Sequence, residues 1–197
     1  LLRGVGAGGA LLLACGLLIG ALSHYRFIGV IGVGFVALMS LPEGRKALRD
    51  PRVWIALSVG LAAWAPLLAW NLDNQDAGLK FQLVERHPWA FQPEGLLFLV
   101  IQPLLVTPLL FVAMAVVASK GLRNAQGGFH HLQWRYFALV GAISTLLIFA
   151  LGFFTDVERV SFHWPLPGYL ALLVCVQALL NHWSRPWRRA LWALTSL

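Results

Sequence analysis

Long apolar stretches alternate with short polar ones along the whole chain. A helix needs roughly 20 apolar residues to cross about 30 Å of hydrocarbon, and the sequence contains six stretches of about that length. They cover approximately residues 5–23, 26–42, 53–71, 95–119, 136–154 and 165–182. The pattern therefore predicts six transmembrane helices, with a truncated seventh that begins at ALWALTSL, residues 190–197.

Composition supports this prediction. The chain is 59% hydrophobic and only 12% charged, whereas soluble domains carry about 25% charged residues. So few charges cannot cover a surface in water, and lipid must replace water around most of the exterior. We therefore expect an all-α, polytopic transmembrane helical bundle. We take residues 1–197 as a single transmembrane domain and as a fragment, since the sequence lacks an initiator Met and opens within an apolar run.

Basic residues concentrate in alternate connections. Eleven of the fifteen Lys and Arg residues fall on one side of the predicted bundle, and the positive-inside rule places that side in the cytoplasm. These eleven are Arg3, Arg45, Lys46, Arg49, Arg52, Lys120, Arg123, Arg135, Arg185, Arg188 and Arg189. The net charge of +7 is thus an orientation signal. Binding to nucleic acid is not expected.

The three connections on the other side, residues 23–27, 70–95 and 155–169, are richer in polar chemistry. They hold six of the eight acidic residues and combine Arg or His with Tyr or Trp. In the first of them, Arg26 has two interpretations. It either snorkels to the interface as a long side chain near a helix end, or it binds an anionic head group together with His24 and Tyr25.

The second outer connection follows a helix end at Asn71, whose amide can cap the helix or point into a cavity. Beyond it, Gln82, Arg86 and His87 either line a polar site above the bilayer or belong to a solvated connector. Downstream, two Pro-containing steps, at residues 102–103 and 107–108, interrupt the fourth apolar run. We favour a kinked helix whose polar side chains are satisfied internally.

The third outer connection contains RVSFHWPLPGYL, residues 159–170. Arg159, His163 and Trp164 precede a helix that opens with prolines, which suit a first helical turn. The unpaired N–H groups of that turn favour an anion. We expect an anion pocket at head-group depth, in which Trp164 packs on a sugar face or an isoprenoid chain. The alternative is that His163 and Trp164 belong to an aromatic belt.

Several of these motifs occur together in a known family. The order of Gly-rich helix, helix end in Trp-Asn, Phe-Gln segment and His-Trp-Pro resembles the C-terminal part of the membrane core of GT-C glycosyltransferases. More narrowly, it is similar to glycosyltransferase family 39, the group related to protein O-mannosyltransferases and to lipid A aminoarabinose transferase. The matching positions are Gly16, Gly20, Ser23, Tyr25, Pro66, Trp70, Asn71, Phe81, Gln82, Arg86, His163, Trp164 and Pro165. The family pattern has Lys after Ser, where this chain has His24, with Arg26 two positions on.

The resemblance implies a function and a location. A sugar would move from a polyprenyl-phosphate donor to an acceptor lipid, glycan or protein at the periplasmic face of a bacterial inner membrane, with the basic loops cytoplasmic. Arg26, Arg86, Arg159 and His163 would contact the donor phosphate. The sugar and lipid cavity would be shaped by His24, Tyr25, Asn71, Gln82 and Trp164. No metal and no cofactor besides the lipid-linked donor are expected.

The resemblance also implies that the fragment alone does not catalyse the reaction. The family's catalytic carboxylate belongs to the first outer loop of the full protein, and we expect this chain to start after it, so no catalytic residue is assigned. Two other functions stay open. Half of a secondary transporter or lipid flippase would place its binding groups near the bilayer midplane, and here they cluster at the outer boundary. A purely structural membrane subunit would tolerate loss of all the outer arginines.

Overall fold

The computed structural model describes residues 2, 4–24, 26–75, 77–81, 89–123, 132–154, 163–181 and 183–195. This part of the chain is predominantly helical and contains no β-strand. The chain divides into two compact units, Leu1–Glu85 (unit 1) and Arg86–Leu197 (unit 2). The all-α class predicted from composition is confirmed. The assignment of residues 1–197 to a single domain stays a prediction.

Six of the described helices belong to unit 1. They are α1 (Ala7–Ser23), α2 (Phe27–Met39), α3 (Pro42–Ala47), α4 (Pro51–Ala62), α5 (Ala65–Asp73) and α6 (Ala77–Lys80). The carboxylate of Asp50 caps α4 by accepting a hydrogen bond from the Arg52 backbone N–H at 2.9 Å. Because Ala63 and Trp64 keep right-handed helical dihedrals, α4 and α5 continue as one span of 23 residues.

Small residues set the packing within unit 1. Helix α1 packs against α4 at Gly60, where an added Cβ would lie 2.7 Å from the Cβ of Leu17. Small residues let helices approach each other closely and associate in lipid. Helix α3 folds back on the end of α2, where Gly44 lies directly against the backbone of Leu38. The neighbouring Ala37 and Leu41 are fully buried.

Unit 2 is built around three mutually packed helices. Its described helices are α7 (Gly95–Leu105), α8 (Pro108–Leu122), α9 (Leu132–Gly152), α10 (Leu166–Leu180) and α11 (Arg185–Thr195). Helices α8, α9 and α10 enclose a core that contains Ala113, Met114, Val117, Ala138, Tyr169, Leu172, Cys175, Val176 and Leu179. Helices α9 and α10 approach each other closely at Gly141, where an added Cβ would lie 2.8 Å from the Gly168 carbonyl oxygen.

The fourth apolar run is broken, as its prolines predict, and the break is sharper than the expected kink. Helices α7 and α8 meet at 108°. Between them Thr107 has φ 68°, a left-handed conformation that is uncommon for a residue other than glycine. Pro108 begins α8 and disfavours a helical conformation at the residue before it. Two helices that meet at this break therefore cover the run predicted as one kinked span over residues 95–119.

The chain is a helical membrane protein. Of the described helices, Pro51–Asp73 and Leu132–Gly152 are long and apolar enough to cross a membrane, and the bent pair α7–α8 makes a third if it counts as one span. Helices α1, α2 and α10 are apolar but shorter, at 17, 13 and 15 residues. The number of six spans stays a prediction. Residues 190–195 of the segment predicted to open a seventh span lie in α11, which already begins at Arg185.

Candidate functional site

The first predicted site lies at the turn between α1 and α2 in unit 1. The backbone N–H of Arg26 donates to Nδ1 of His24 at 3.0 Å, and the N–H of Phe27 donates to the His24 carbonyl at 3.0 Å. These bonds close a tight turn that exposes the His24 ring and leaves Arg26 half-buried at the start of α2. The turn thus holds an imidazole and a guanidinium two residues apart at a helix junction.

A glycine makes this turn possible. The Phe27 ring lies directly over Gly20, where an added Cβ would overlap its ring atoms. Gly16, the other glycine of the quoted motif, has open space around it. The two positions look equivalent in the sequence, and only Gly20 is required by contact in the described structure.

Asn71, predicted to shape a sugar or lipid cavity, is buried in unit 1. Its side chain is 1% exposed, and its Nδ2 donates to the Leu67 carbonyl at 2.9 Å. An added Cβ at Gly78 would lie 2.9 Å from Asn71 Oδ1, so α6 passes close to the amide. Trp70 next to it is 52% exposed. The end of α5 therefore presents the indole to the surroundings and keeps the amide inside.

The second predicted site lies at the start of α10 in unit 2. His163 is exposed, Trp164 is half-buried and Pro165 is buried. The N–H of Leu166 donates to the His163 carbonyl at 3.0 Å, which fixes a turn directly before the helix. Pro165 and Pro167 suit this first turn because it needs few N–H donors. The structure thus places the exposed imidazole at a helix N-terminus, as the sequence predicts.

An aromatic cluster that the sequence analysis missed lies at the same end of unit 2. Phe91 stacks on Phe153 with ring centroids 5.7 Å apart and meets Phe154 edge-on at 6.0 Å. The Gln92 N–H donates to the Phe153 carbonyl at 2.7 Å, which ties the segment before α7 to the end of α9. Phe91 is 66% exposed. The sequence feature that could have revealed this cluster is the adjacent pair Phe153 and Phe154 at the end of an apolar run.

We call this end of unit 2 the aromatic end, and define it by Trp89, Phe91, Phe153, Phe154, His163 and Trp164. Helix α10 runs antiparallel to α9, so its start lies beside the last turns of α9. The close approach of Gly168 to Thr145 and Gly141 shows this arrangement. An exposed imidazole and exposed apolar rings therefore share one end of the helices, which suits a ligand with both a polar head and an apolar part.

A buried polar pair lies deeper in unit 2. The Tyr169 hydroxyl donates to Gln102 Oε1 at 2.9 Å, and both side chains are at most 4% exposed. This pair joins α10 to the helix before the break. The prediction that the polar side chains of this broken run are satisfied internally is confirmed for Gln102 and is wrong for Thr107 among the described residues. At the break itself, the buried Thr107 Oγ1 has no hydrogen-bond partner within the described residues.

Four predicted site residues, Tyr25, Gln82, Arg86 and Arg159, lie outside the described residues. The remaining five are divided between the units: His24, Arg26 and Asn71 in unit 1, His163 and Trp164 in unit 2. A phosphate site that they share stays a prediction. Across the described ranges, no three His, Cys, Asp or Glu side chains are grouped to hold a metal ion.

Comparison with known proteins adds one relative. The chain is 25% identical over 190 residues to the lipid A galacturonosyltransferase RgtD of Rhizobium johnstonii, over 93% of this chain and 38% of the relative. The chain resembles part of a glycosyltransferase. No family model and no solved structure matches it.

The chain spans less than half the length of this relative. The similarity supports a glycosyltransferase-like membrane protein in general terms. Assignment to glycosyltransferase family 39, and to the C-terminal part of its membrane core, stays a prediction.

Proposed function

We propose that this chain is part of an integral-membrane glycosyltransferase that moves a sugar from a polyprenyl-phosphate donor to an acceptor at the periplasmic face of a bacterial inner membrane. The similarity to a lipid A galacturonosyltransferase, which extends over 93% of the chain, carries this proposal. The donor needs a partner for its phosphate, a surface for its sugar and an apolar route for its tail.

The aromatic end of unit 2 supports the proposal chemically. His163 is exposed in the turn before α10, where a phosphate oxygen could accept its N–H. The N-terminus of α10 adds a favourable dipole for an anion. Exposed rings at Phe91 and Trp89 offer flat apolar surfaces for a sugar face or a prenyl chain. In unit 1, considered by itself, the turn between α1 and α2 holds Arg26 beside the exposed His24.

In the proposed reaction, charged groups act on the acceptor hydroxyl and on the donor phosphate. A carboxylate elsewhere in the full enzyme would act as general base on the acceptor hydroxyl. The sugar C1–O bond to the donor phosphate would break as the acceptor oxygen attacks, and the polyprenyl phosphate would leave with the bonding electron pair. Positive groups positioned for that phosphate would stabilise the transition state. We assign this role to Arg26, Arg86, Arg159 and His163, with Tyr25, Gln82, Asn71 and Trp164 shaping the cavity.

The experiment measures sugar transfer from the lipid-linked donor by the full-length protein in membranes. We expect His163→Ala, and Arg86→Ala with Arg159→Ala, to lower the rate roughly 10²- to 10³-fold, the usual effect of removing one group that stabilises transition-state charge. Phe137→Ala is the matched control: Phe137 is also exposed but lies in the first turns of α9, at the other end of unit 2. Unchanged transfer in both sets of variants would remove the proposed site.

A second candidate is half of a secondary transporter or lipid flippase. The 108° break between α7 and α8 favours it, because transporters place their sites at discontinuous helices near mid-membrane. Reconstituted full-length protein distinguishes the two functions. Uptake or flipping of substrate without any sugar transfer supports the transporter. Sugar transfer that survives Thr107→Ala at the break and falls with His163→Ala supports the glycosyltransferase.

A further inference from the structure

Cations gather at the end of unit 2 that lies opposite the aromatic end. There α8 ends, α9 begins, and α11 follows the end of α10. The Cys175 thiol donates to the Trp134 carbonyl at 3.3 Å, which places the second half of α10 beside the start of α9. We call this the basic end, and define it by Lys120, Arg123, Arg135, Arg185, Arg188 and Arg189.

No acidic side chain balances these cations within the described part of unit 2. Its one acid there is Glu94, which precedes α7 at the aromatic end. The Arg135 Nε is buried and lacks a hydrogen-bond partner among the described residues. A buried donor without an acceptor is costly. The described side chains of the basic end therefore carry a net positive charge that an external anion would balance.

Helix α11 arranges three of these cations in an amphipathic pattern that suits a membrane surface. Arg185, Arg188 and Arg189 share one face by helical spacing, and Trp187 and Leu191 share another. Leu191 is 4% exposed, because α11 packs on α8, while Trp187 is 60% exposed.

We propose that the basic end of unit 2 is a binding site for the head groups of anionic phospholipids in the leaflet that it faces. The positive charge of the basic end attracts head groups with a net negative charge, and each of its cations can also donate hydrogen bonds to the phosphate. The exposed Trp187 ring, on another face of α11, suits the interface between head groups and acyl chains. This neighbouring apolar ring favours a lipid over a free phosphate ion. The site lies opposite the aromatic end and does not depend on the proposed sugar transfer.

The test uses full-length protein in neutral detergent, with phosphatidylglycerol and phosphatidylcholine as probes. Native mass spectrometry measures the lipid retained, and circular dichroism verifies folding. Each cation near an anionic lipid surface strengthens binding roughly fivefold. We therefore expect the parent to prefer phosphatidylglycerol at least about tenfold, and R185Q/R188Q/R189Q to lose most of that preference. Arg→Lys at the same three positions keeps the charge and should retain the preference within about threefold.

The matched control removes the same number of charges around α3 in unit 1, as R45Q/K46Q/R49Q. Those cations have Glu43 and Asp50 as sequence neighbours, so this variant should keep the lipid preference. An unchanged preference in R185Q/R188Q/R189Q, or an equal loss in the α3 variant, would overturn the proposal. So would full competition by millimolar inorganic phosphate, or a loss in the Arg→Lys variant as large as in the Gln variant.

Discussion

The two ends of unit 2 are joined by the same helices and differ in chemistry. At the aromatic end, Phe91 stacks on Phe153, and His163 is exposed in a helix-start turn. At the basic end, the described side chains include six cations and no acid. Helix α9 runs from one end to the other over 21 residues, which corresponds to about 30 Å. The two chemically different surfaces are therefore separated by about the thickness of the hydrocarbon core.

The comparison shows where the chemistry of a membrane bundle lies. Between the ends, the core of α8, α9 and α10 consists mostly of apolar side chains that only fill space. The groups that can recognise a ligand lie in turns and short helices beyond that core. Functional residues are common on connections held by a rigid scaffold. Each end can thus take a different ligand without any change in how the helices pack.

The largest expected loss of stability comes from substituting two glycines, one at each end, at which neighbouring segments pack closely. At the aromatic end, an added Cβ at Gly95 would lie 2.6 Å from the Gly152 carbonyl oxygen. At the basic end, an added Cβ at Gly121 would lie 2.7 Å from the Ala138 Cβ. Overpacking typically costs 1–3 kcal/mol, so we expect each alanine variant to lose about that much unfolding free energy. Gly95→Ala should lose more, because backbone cannot move aside as a side chain can.

Thermal unfolding in detergent, followed by circular dichroism, measures both glycine variants. Gly16→Ala is the control, since Gly16 has open space around it and alanine favours a helix. A normal melting temperature for Gly95→Ala, next to a lowered one for Gly121→Ala, would mean that the aromatic end is not closed by this contact. The packing proposed for the aromatic end would then be wrong.

Much of this arrangement could be predicted from local pattern. The positions of α1, α4–α5, α9 and α10 follow from apolar run length, since burial in lipid selects such runs directly. The break before Pro108 and the turn at His163 follow from the backbone restrictions of proline. The expectation that the polar side chains of the broken run are satisfied internally held for Gln102, because a buried amide requires a partner, but not for the Thr107 hydroxyl among the described residues.

Other features could not be predicted, because they depend on contacts between distant parts of the sequence. Phe91 and Phe153 meet only when the segment before α7 reaches the end of α9. Gly16 and Gly20 are one helical turn apart, yet only Gly20 lies under the Phe27 ring. Helix α11 was missed because its arginines interrupt the apolar pattern, although an amphipathic helix needs that interruption. Local hydropathy therefore predicts spans better than it predicts the ends where ligands bind.

A smaller effect is expected midway between the ends, at the Tyr169–Gln102 hydrogen bond. Tyr169→Phe removes the donor and leaves Gln102 Oε1 without this bond. Hydrogen bonds between membrane helices contribute about 0.6–1.7 kcal/mol, so we expect a loss of about 1 kcal/mol in unfolding free energy. Adding Gln102→Leu should recover part of that loss, because both polar partners are then removed together. A double variant less stable than the single one would show that Gln102 has a more important role than this pair.

The smallest expected effect on stability comes from substituting exposed residues at the two ends. It tests whether these residues bind ligands or stabilise the fold. His163 and Arg189 are both exposed, at opposite ends of unit 2. Exposed substitutions usually change stability by no more than about 0.5 kcal/mol, so His163→Gln and Arg189→Gln should unfold close to the parent. Sugar transfer should fall only with His163→Gln, and preference for phosphatidylglycerol only with Arg189→Gln. If both variants lower both measurements without unfolding, the ends are coupled through α9, and their chemistry cannot be assigned to two independent sites.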